Sequence, residues 1–354
     1  MEYQFLPRGD QHMERVKLGR TGMTVQKNGF GALLIQRITK EEAVKILRKA
    51  YNAGINYYDT ARGYTDSEEK LGEALHDVRG HIYIASKSHA LTGEEFARDI
   101  DASLKALRTD YIDLYQFHNP PFCPKPGDGT GLYEAMEEAV RAGKVRHIGI
   151  SNHRLKVAEE AVDSGLYETL QFPFCYLAAE PDLKVVEKCG KAGMGFIAMK
   201  GLSGGLITNS AAAYAFEAEF PFVVPIWGIQ RERELDEFIS YIDHPPVMTD
   251  ELKQVIEKDR KELSGDFCRA CGYCMPCPAG IEINTCARMS LLLRRSPLKR
   301  WISGETQKKM EKIEECRHCN HCKSMCPYGL DTPALLRRNL EDYRKFMKKE
   351  GLMK

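Results

Sequence analysis

The chain has 354 residues, 43% of them hydrophobic, and a formal net charge of +1. That length holds one large domain and a smaller one, and the near-neutral balance excludes a global pull toward nucleic acid or a membrane surface. No run approaches the roughly 18 apolar residues of a membrane span, and Met1 to Asp10 lacks the apolar core of a signal peptide, so a cytoplasmic protein is expected.

Residues 16–25 set polar and Gly punctuation between short β-prone runs and read as a hairpin. From Phe30 onward, apolar runs alternate with amphipathic segments. The first strand is expected over 30–35, with a helix over 40–53 that opens at Thr39 and carries Glu41 and Glu42 in its first turn. A second strand ends on Asp59 before a helix over 67–75, a third covers 82–87 before a helix over 93–107, and a fourth covers 112–118 before a helix over 132–142. The Pro/Gly-rich segment 119–129 reads equally well as a substrate-facing lid and as a plain connector. Strands over 145–150, 169–172, 195–199 and 222–227 follow, with helices ending near Val162 and spanning 181–192 and 231–242. Eight such alternations suit a TIM (β/α)8 barrel over residues 1–248, whose active site lies at the C-terminal ends of the strands.

Three successive strands end in ionisable side chains there: Asp59, with Tyr64 five residues beyond it, then Lys87, then His118. A tyrosine of pKa about 10 is a poor acid at neutral pH, and a neighbouring ammonium stabilises its phenolate. Tyr64 could then protonate a carbonyl oxygen as hydride reaches the carbon, with Asp59 holding Lys87 and His118 donating a hydrogen bond to the same oxygen. Taken singly, an Asp after a strand caps a helix, a strand-end Lys is solvated, and a lone Tyr or His packs. Their order at three successive strand ends favours catalysis. The motifs Asp-Thr-Ala-x-x-Tyr, Ser-Lys and Gln-Phe-His, in that order, closely resemble the aldo-keto reductase tetrad, over residues 16–243.

That resemblance implies an NADP- or NAD-dependent oxidoreductase interconverting carbonyl and alcohol. No G-x-G-x-x-G follows a strand, and the family does not use one. It implies instead that Ser151, Asn152 and Gln171 hold the carboxamide, that the loop from Lys200, Gly201 and Leu202 to Gly205 meets the pyrophosphate, and that Gly31 and Gln230 add contacts. Ser151-Asn152 also reads as a helix cap. The adenosine end departs from the usual pattern: Ile229 replaces a hydroxyl, Glu234 stands where a basic residue is common, and Phe238 replaces an asparagine. Glu234 would repel a 2′-phosphate that Arg231 or Arg233 could attract, so NADP against NAD stays open.

Of twelve cysteines, nine lie between Cys268 and Cys326. Clustered thiols without an export signal point to metal rather than disulfides. Cys316, Cys319, Cys322 and Cys326 follow the bacterial ferredoxin spacing C-x2-C-x2-C-x3-C-P, and Cys268, Cys271, Cys274 and Cys277 differ from it by one residue. By the two-cluster pattern, Cys268, Cys271, Cys274 and Cys326 hold one 4Fe-4S cluster and Cys316, Cys319, Cys322 and Cys277 the other. Zinc is the competing reading. Cys286 is a packed thiol or a substitute ligand. Residues 249–354 thus read as a helix-rich, ferredoxin-like iron-sulfur domain, and the whole resembles bacterial and archaeal aldo-keto reductases fused to a ferredoxin-type dicluster domain. The resemblance implies anaerobic or microaerobic redox metabolism.

A last helix over 332–349 carries Arg337, Arg338, Arg344, Lys345, Lys348 and Lys349. It reads as a docking face for ferredoxin or flavodoxin, or as a solvated amphipathic surface. Two alternatives stand beside the leading function: a ferredoxin-linked electron-transfer enzyme, and a non-catalytic electron carrier or ligand-binding protein.

Overall fold

The computed structural model describes residues 15–263, 267–270, 272–295, 298–326 and 328–352. The chain divides into two compact units, Met1–Gly201 with Ala211–Thr249, and Leu202–Ser210 with Asp250–Lys354. The segment 202–210 thus groups with the second unit, although the sequence expectation puts it in the barrel domain.

The first unit opens with an antiparallel hairpin, β1 (Arg15–Lys17) and β2 (Thr24–Gln26), in which Val16 faces Val25. Then come β3 (Gly29–Gly31), α1 (Lys40–Asn52), β4 (Tyr57–Asp59), α2 (Ser67–Leu75), β5 (Tyr83–Ser88), α3 (Gly93–Leu107), β6 (Ile112–His118) and α4 (Leu132–Arg141). They are followed by β7 (Val145–Ser151), α5 (Leu155–Ser164), β8 (Thr169–Pro173), α6 (Glu180–Lys191), β9 (Gly195–Met199), α7 (Ser210–Ala218), β10 (Val223–Gly228) and α8 (Glu232–Asp243). Strands β3 to β10 run parallel and close into a barrel, β10 pairing back onto β3. The expected eight-stranded barrel is what forms.

Local chemistry explains the elements. Thr39 and Glu42 make a reciprocal capping box that starts α1, and Ala43, Ile46, Leu47 and Ala50 give it one buried stripe at helical spacing. Every residue of β4 and β6 is buried, as parallel strands covered on both faces require. The hairpin plugs the end of the barrel where the strands begin: Val16, Leu18, Met23 and Val25 pack on Tyr57, Leu114, Ile197 and Val224. Its turn presses so close that a Cβ on Gly19, at φ +55°, would lie 2.1 Å from the Gly195 nitrogen, which only glycine avoids.

Two elements differ from expectation. The apolar run 30–35 is only briefly a strand: β3 stops at Gly31, and Leu34–Arg37 forms a 3-10 turn that buries Ile35. An apolar run reports burial, and a turn can supply that as well as a strand. Helix α7 was not expected at all. Residues 212–217 are buried on every side, so no polar face marks a helical period there.

The second unit contains α9 (Asp250–Glu262), α10 (Ile283–Cys286), α11 (Met289–Arg295), α12 (Leu298–Trp301), α13 (Gly304–Glu311), α14 (His321–Ser324) and α15 (Thr332–Lys349). Asp331 caps α15 by accepting the Ala334 amide at 3.2 Å, and Leu335, Leu336, Leu340, Tyr343 and Met347 form its buried face. Buried Asn339 accepts from the Ser290 amide at 2.8 Å and donates to Ala287 O at 3.3 Å, tying α15 to the start of α11. No helix among the described residues is long and apolar enough to cross a membrane.

Candidate active site and cysteine cavity

Asp59 closes β4, Lys87 lies one residue before the end of β5, and His118 closes β6, so neighbouring parallel strands deliver all three to one rim. The Lys87 ammonium lies 2.7 and 2.8 Å from the two Asp59 carboxylate oxygens and donates to Thr60 O at 2.6 Å. Both side chains are buried. Loss of hydration pushes the carboxyl up and the ammonium down, and their mutual attraction pulls each back toward its charged form. Beside the pair, Gln116 Nε2 donates to Gln171 Oε1 at 2.8 Å, and Gln171 Nε2 lies 3.4 Å from Asp59 Oδ1.

Tyr64 stands on the loop after β4, and the loop is clamped. Arg62 N donates to Lys87 O at 2.9 Å and Tyr64 N to Ala61 O at 3.0 Å. The Arg62 guanidinium pairs with buried Glu68, which also accepts the Ser86 hydroxyl at 2.5 Å. Held this way, the Tyr64 ring has its centroid 5.3 Å from the Lys87 ammonium and meets the His118 ring edge-on at 5.7 Å. The structure therefore brings Asp59, Tyr64, Lys87 and His118 together.

His118 is buried, and its Nδ1 has no partner among the described residues. Burial holds its pKa well below the usual imidazole value, with His89, Lys87 and His153 adding to the effect, so the ring is neutral near pH 7. His89 was missed in the sequence. It stacks on His118 with centroids 3.6 Å apart and planes 15° from parallel, and its Nδ1 lies 2.8 Å from His118 O. Its only trace in the sequence is its place two residues after Lys87.

The residues considered for a nicotinamide spread along the same rim. Ser151 is in register with His118, and Gln171 with Ser151. The Asn152 side chain is engaged internally, donating to Pro120 O at 2.9 Å and accepting the Arg154 amide at 2.8 Å. Gly31 closes β3, where a Cβ would come within 3.1 Å of Trp227 O. Lys200, at φ +65°, follows β9, and Gly201 leaves room for the Trp227 ring and the Glu217 carboxyl, which a Cβ would meet at 2.6 and 2.7 Å. Leu202 belongs to the second unit. At the start of α8, the Gln230 and Arg231 amides both donate to Glu234 Oε2, at 3.0 and 3.1 Å. Phe238 stacks on Trp227 with centroids 4.5 Å apart.

Segment 119–129 is fastened rather than loose. Asn119 N donates to Ser151 O at 2.7 Å, Asn119 Oδ1 accepts the His153 amide at 3.0 Å, the Tyr167 hydroxyl donates to Pro124 O, and Lys125 pairs with Glu160 at 2.6 Å.

In the second unit, Cys274, Cys277, Cys316, Cys319 and Cys322 line one pocket. Cys322 is buried and Cys319 exposed. Cys268 and Cys326 are outside that lining, and Cys271 lies outside the described residues. Among the described residues no three His, Cys, Asp or Glu side chains converge on a point as one metal ion would require. Cys286 faces elsewhere: its buried thiol points at Lys309 O, 3.5 Å away, and burial pushes it up to about 12.

Comparison with known proteins also finds two domains. Residues 27–215 match the family model of the aldo/keto reductase family, and residues 267–331 match that of the 4Fe-4S dicluster domain. The oxidoreductase YrpG of Bacillus subtilis is 30% identical over 230 residues, covering 56% of this chain and 69% of that protein. L-galactose dehydrogenase of Arabidopsis thaliana is 28% identical over 212 residues, covering 54% of this chain and 66% of that protein. In fold, the holo form of an aldo-keto reductase from Bacillus halodurans superposes with a TM-score of 0.62 at 22% identity, covering 70% of this chain and 96% of that one. Barrel topology, the side chains gathered at its rim and the match over its length agree: the chain is an oxidoreductase that belongs to the aldo/keto reductase family and carries a 4Fe-4S dicluster domain.

Proposed function

We propose that the barrel interconverts a carbonyl and an alcohol, with Tyr64 as the acid/base, and that the second unit holds two 4Fe-4S clusters. The observation that carries the first part is the Lys87 ammonium, buried against Asp59 and 5.3 Å from the centroid of the Tyr64 ring. A cation there lowers the energy of a Tyr64 phenolate. In reduction the Tyr64 O–H bond breaks, its proton passes to the carbonyl oxygen, and the electron pair stays on the phenolate. A nicotinamide, if held along this rim, would be the source of the hydride for the carbonyl carbon. His118, neutral, offers a ring N–H to the same oxygen, and Asp59 keeps Lys87 charged and in place.

Ser151 and Gln171, in register with His118, fit the carboxamide end of such a cofactor. Lys200, Gly201 and Leu202, with Gly31 and Gln230, would serve the rest of it. Glu234 already takes the amides that begin α8, so a 2′-phosphate meets a carboxylate there, which supports NAD over NADP.

Cys277, Cys316, Cys319 and Cys322 line one pocket together with Cys274 and support one cluster; by the two-cluster spacing pattern Cys268, Cys271, Cys274 and Cys326 are assigned to the other. Zinc, bound at about 2.3 Å from each thiolate, is the competing occupant, and metal analysis distinguishes it from iron. A second reading makes the clusters a one-electron port for a small acidic carrier such as ferredoxin or flavodoxin. Exposed Cys319, beside exposed Arg317 and Lys323, favours it. The substrate is a small molecule and the compartment the cytoplasm.

The test is anaerobic purification, iron analysis and a carbonyl panel with NADH and NADPH. About eight irons per chain are expected. Tyr64→Phe should lower turnover by at least about 10²-fold without changing colour or folding. Full turnover in Tyr64→Phe removes the acid/base assignment.

A further inference from the structure

His89 directly follows β5, and its neighbours pin it: the Ala90 amide donates to the Ser88 hydroxyl at 2.9 Å, and that hydroxyl donates to Asp99 on α3. The residue itself is exposed. One face of its ring lies on His118, with centroids 3.6 Å apart and planes 15° from parallel. Its Nδ1 lies 2.8 Å from His118 O, and a carbonyl oxygen can only accept, so Nδ1 carries the ring proton. Nε2 of the neutral ring is then a bare acceptor, and none of the described residues bonds it. Loss of hydration lowers the pKa from the usual imidazole value, only partly offset by the bond to His118 O, so the neutral form prevails near pH 7. The Cδ2–Nε2 edge lies beside Gly63, where a Cβ would come 3.2 Å from Cδ2 and 3.6 Å from Nε2. Gly63 is outside the left-handed region, so its backbone does not demand glycine; the missing side chain instead leaves that edge open, next to Tyr64.

His118 offers the complement. Its Nδ1 is buried without a partner among the described residues, so the proton of its neutral ring belongs on Nε2, where it can donate. The stacked pair therefore presents one donor and one acceptor, on rings whose centres are 3.6 Å apart. A hydrogen bond to a ring nitrogen lies close to the ring plane, so the two partners are separated by about the stacking distance. That separation suits two oxygens on adjacent carbons and is too wide for one oxygen to serve both rings. We propose that His89 is a substrate-binding residue, that its Nε2 accepts a hydrogen bond from a hydroxyl on the carbon next to the carbonyl, and that the barrel thereby selects α-hydroxycarbonyl compounds, with vicinal diols as the corresponding alcohols. This rests on the carbonyl being held at Tyr64 and His118, as the proposed function has it. An analogue with a methyl group in place of that hydroxyl takes away the water on Nε2 and returns no hydrogen bond, so the site disfavours it.

The experiment compares hydroxyacetone with butanone, which carries a methyl group where the hydroxyl stands, in the full chain purified anaerobically as wild type, His89→Phe and His89→Gln. In His89→Phe, which keeps a ring to stack but has no ring nitrogen, the kcat/KM ratio of hydroxyacetone to butanone should fall by about tenfold or more, through a higher KM for hydroxyacetone. His89→Gln, whose amide oxygen can stand near the place of Nε2, should recover part of the ratio. A wild type indifferent between the two ketones, a ratio unchanged in His89→Phe, or both ketones slowed by the same factor overturns the proposal in favour of a packing role. Nitrogen NMR of the labelled histidine rings, with His89 assigned by its loss in His89→Gln, gives a reading without turnover and without His89→Phe. A proton on Nδ1 and a shift of Nε2 on adding propylene glycol, a vicinal diol, support the proposal; a proton on Nε2, or no response to the diol, overturns it. A wild-type chain that reduces neither ketone removes the carbonyl reading itself and is distinct from these outcomes.

Discussion

The Lys87 ammonium and the Asp59 carboxylate meet through both carboxylate oxygens, at 2.7 and 2.8 Å, where neither is reached by solvent. Removing one partner strands the other. Asp59→Asn should destabilise the barrel by about 3–5 kcal/mol, because it leaves a buried ammonium without its counter-ion. The urea midpoint checks this, and a midpoint equal to wild type would mean the pair is already neutral.

His118, His89 and His153 all have pKa values held below the ordinary imidazole range, chiefly by burial. Below about pH 6.5 the unfolded chain binds protons there that the folded chain does not. The stability they contribute is present above that pH and is lost as the pH falls toward their folded values. Urea midpoints should therefore drop between about pH 7.5 and about pH 5.5, and His118→Phe should flatten that drop. Equal slopes in the two proteins would count against a neutral, buried His118.

Cys319 and Cys286 separate ligand from packing. Cys319→Ser should lose about half of the bound iron, as expected when one of two 4Fe-4S centres loses a thiolate. Cys286→Ala should keep all of it, since that thiol faces Lys309 O and stays out of the cysteine cavity. Iron assay and visible absorbance read both, and iron loss from Cys286→Ala would make it a ligand.

Glu234 occupies the start of α8. Glu234→Gln should weaken that cap, destabilising the protein by about 1 kcal/mol, and should strengthen NADPH binding relative to NADH. Dissociation constants from nucleotide fluorescence quenching give the ratio. An unchanged ratio would place the 2′-phosphate elsewhere.

The strands that carry Asp59, Lys87 and His118 were legible because a buried parallel strand is a nearly unbroken apolar run, so an ionisable residue at its end stands out. Tyr64 was legible through its spacing from Asp59. His89 was not, because its stacking on His118 joins the segment after β5 to the end of β6, and no local pattern encodes that meeting. Helix α7 hid for the opposite reason, being buried on nearly every face, its one carboxyl, Glu217, included. Asn152 shows a motif with two local meanings: its amide lies beside the rim and also fastens the turn into α5.

Leu202–Ser210 folds with the cysteine-bearing unit although β9 precedes it and α7 begins at its end. The two halves are therefore interleaved along the chain, and a gene trimmed at Thr249 would leave a stretch in the middle of the barrel sequence without the residues it folds against. Such a product would have to find other packing for Leu202–Ser210 before it became a simple reductase.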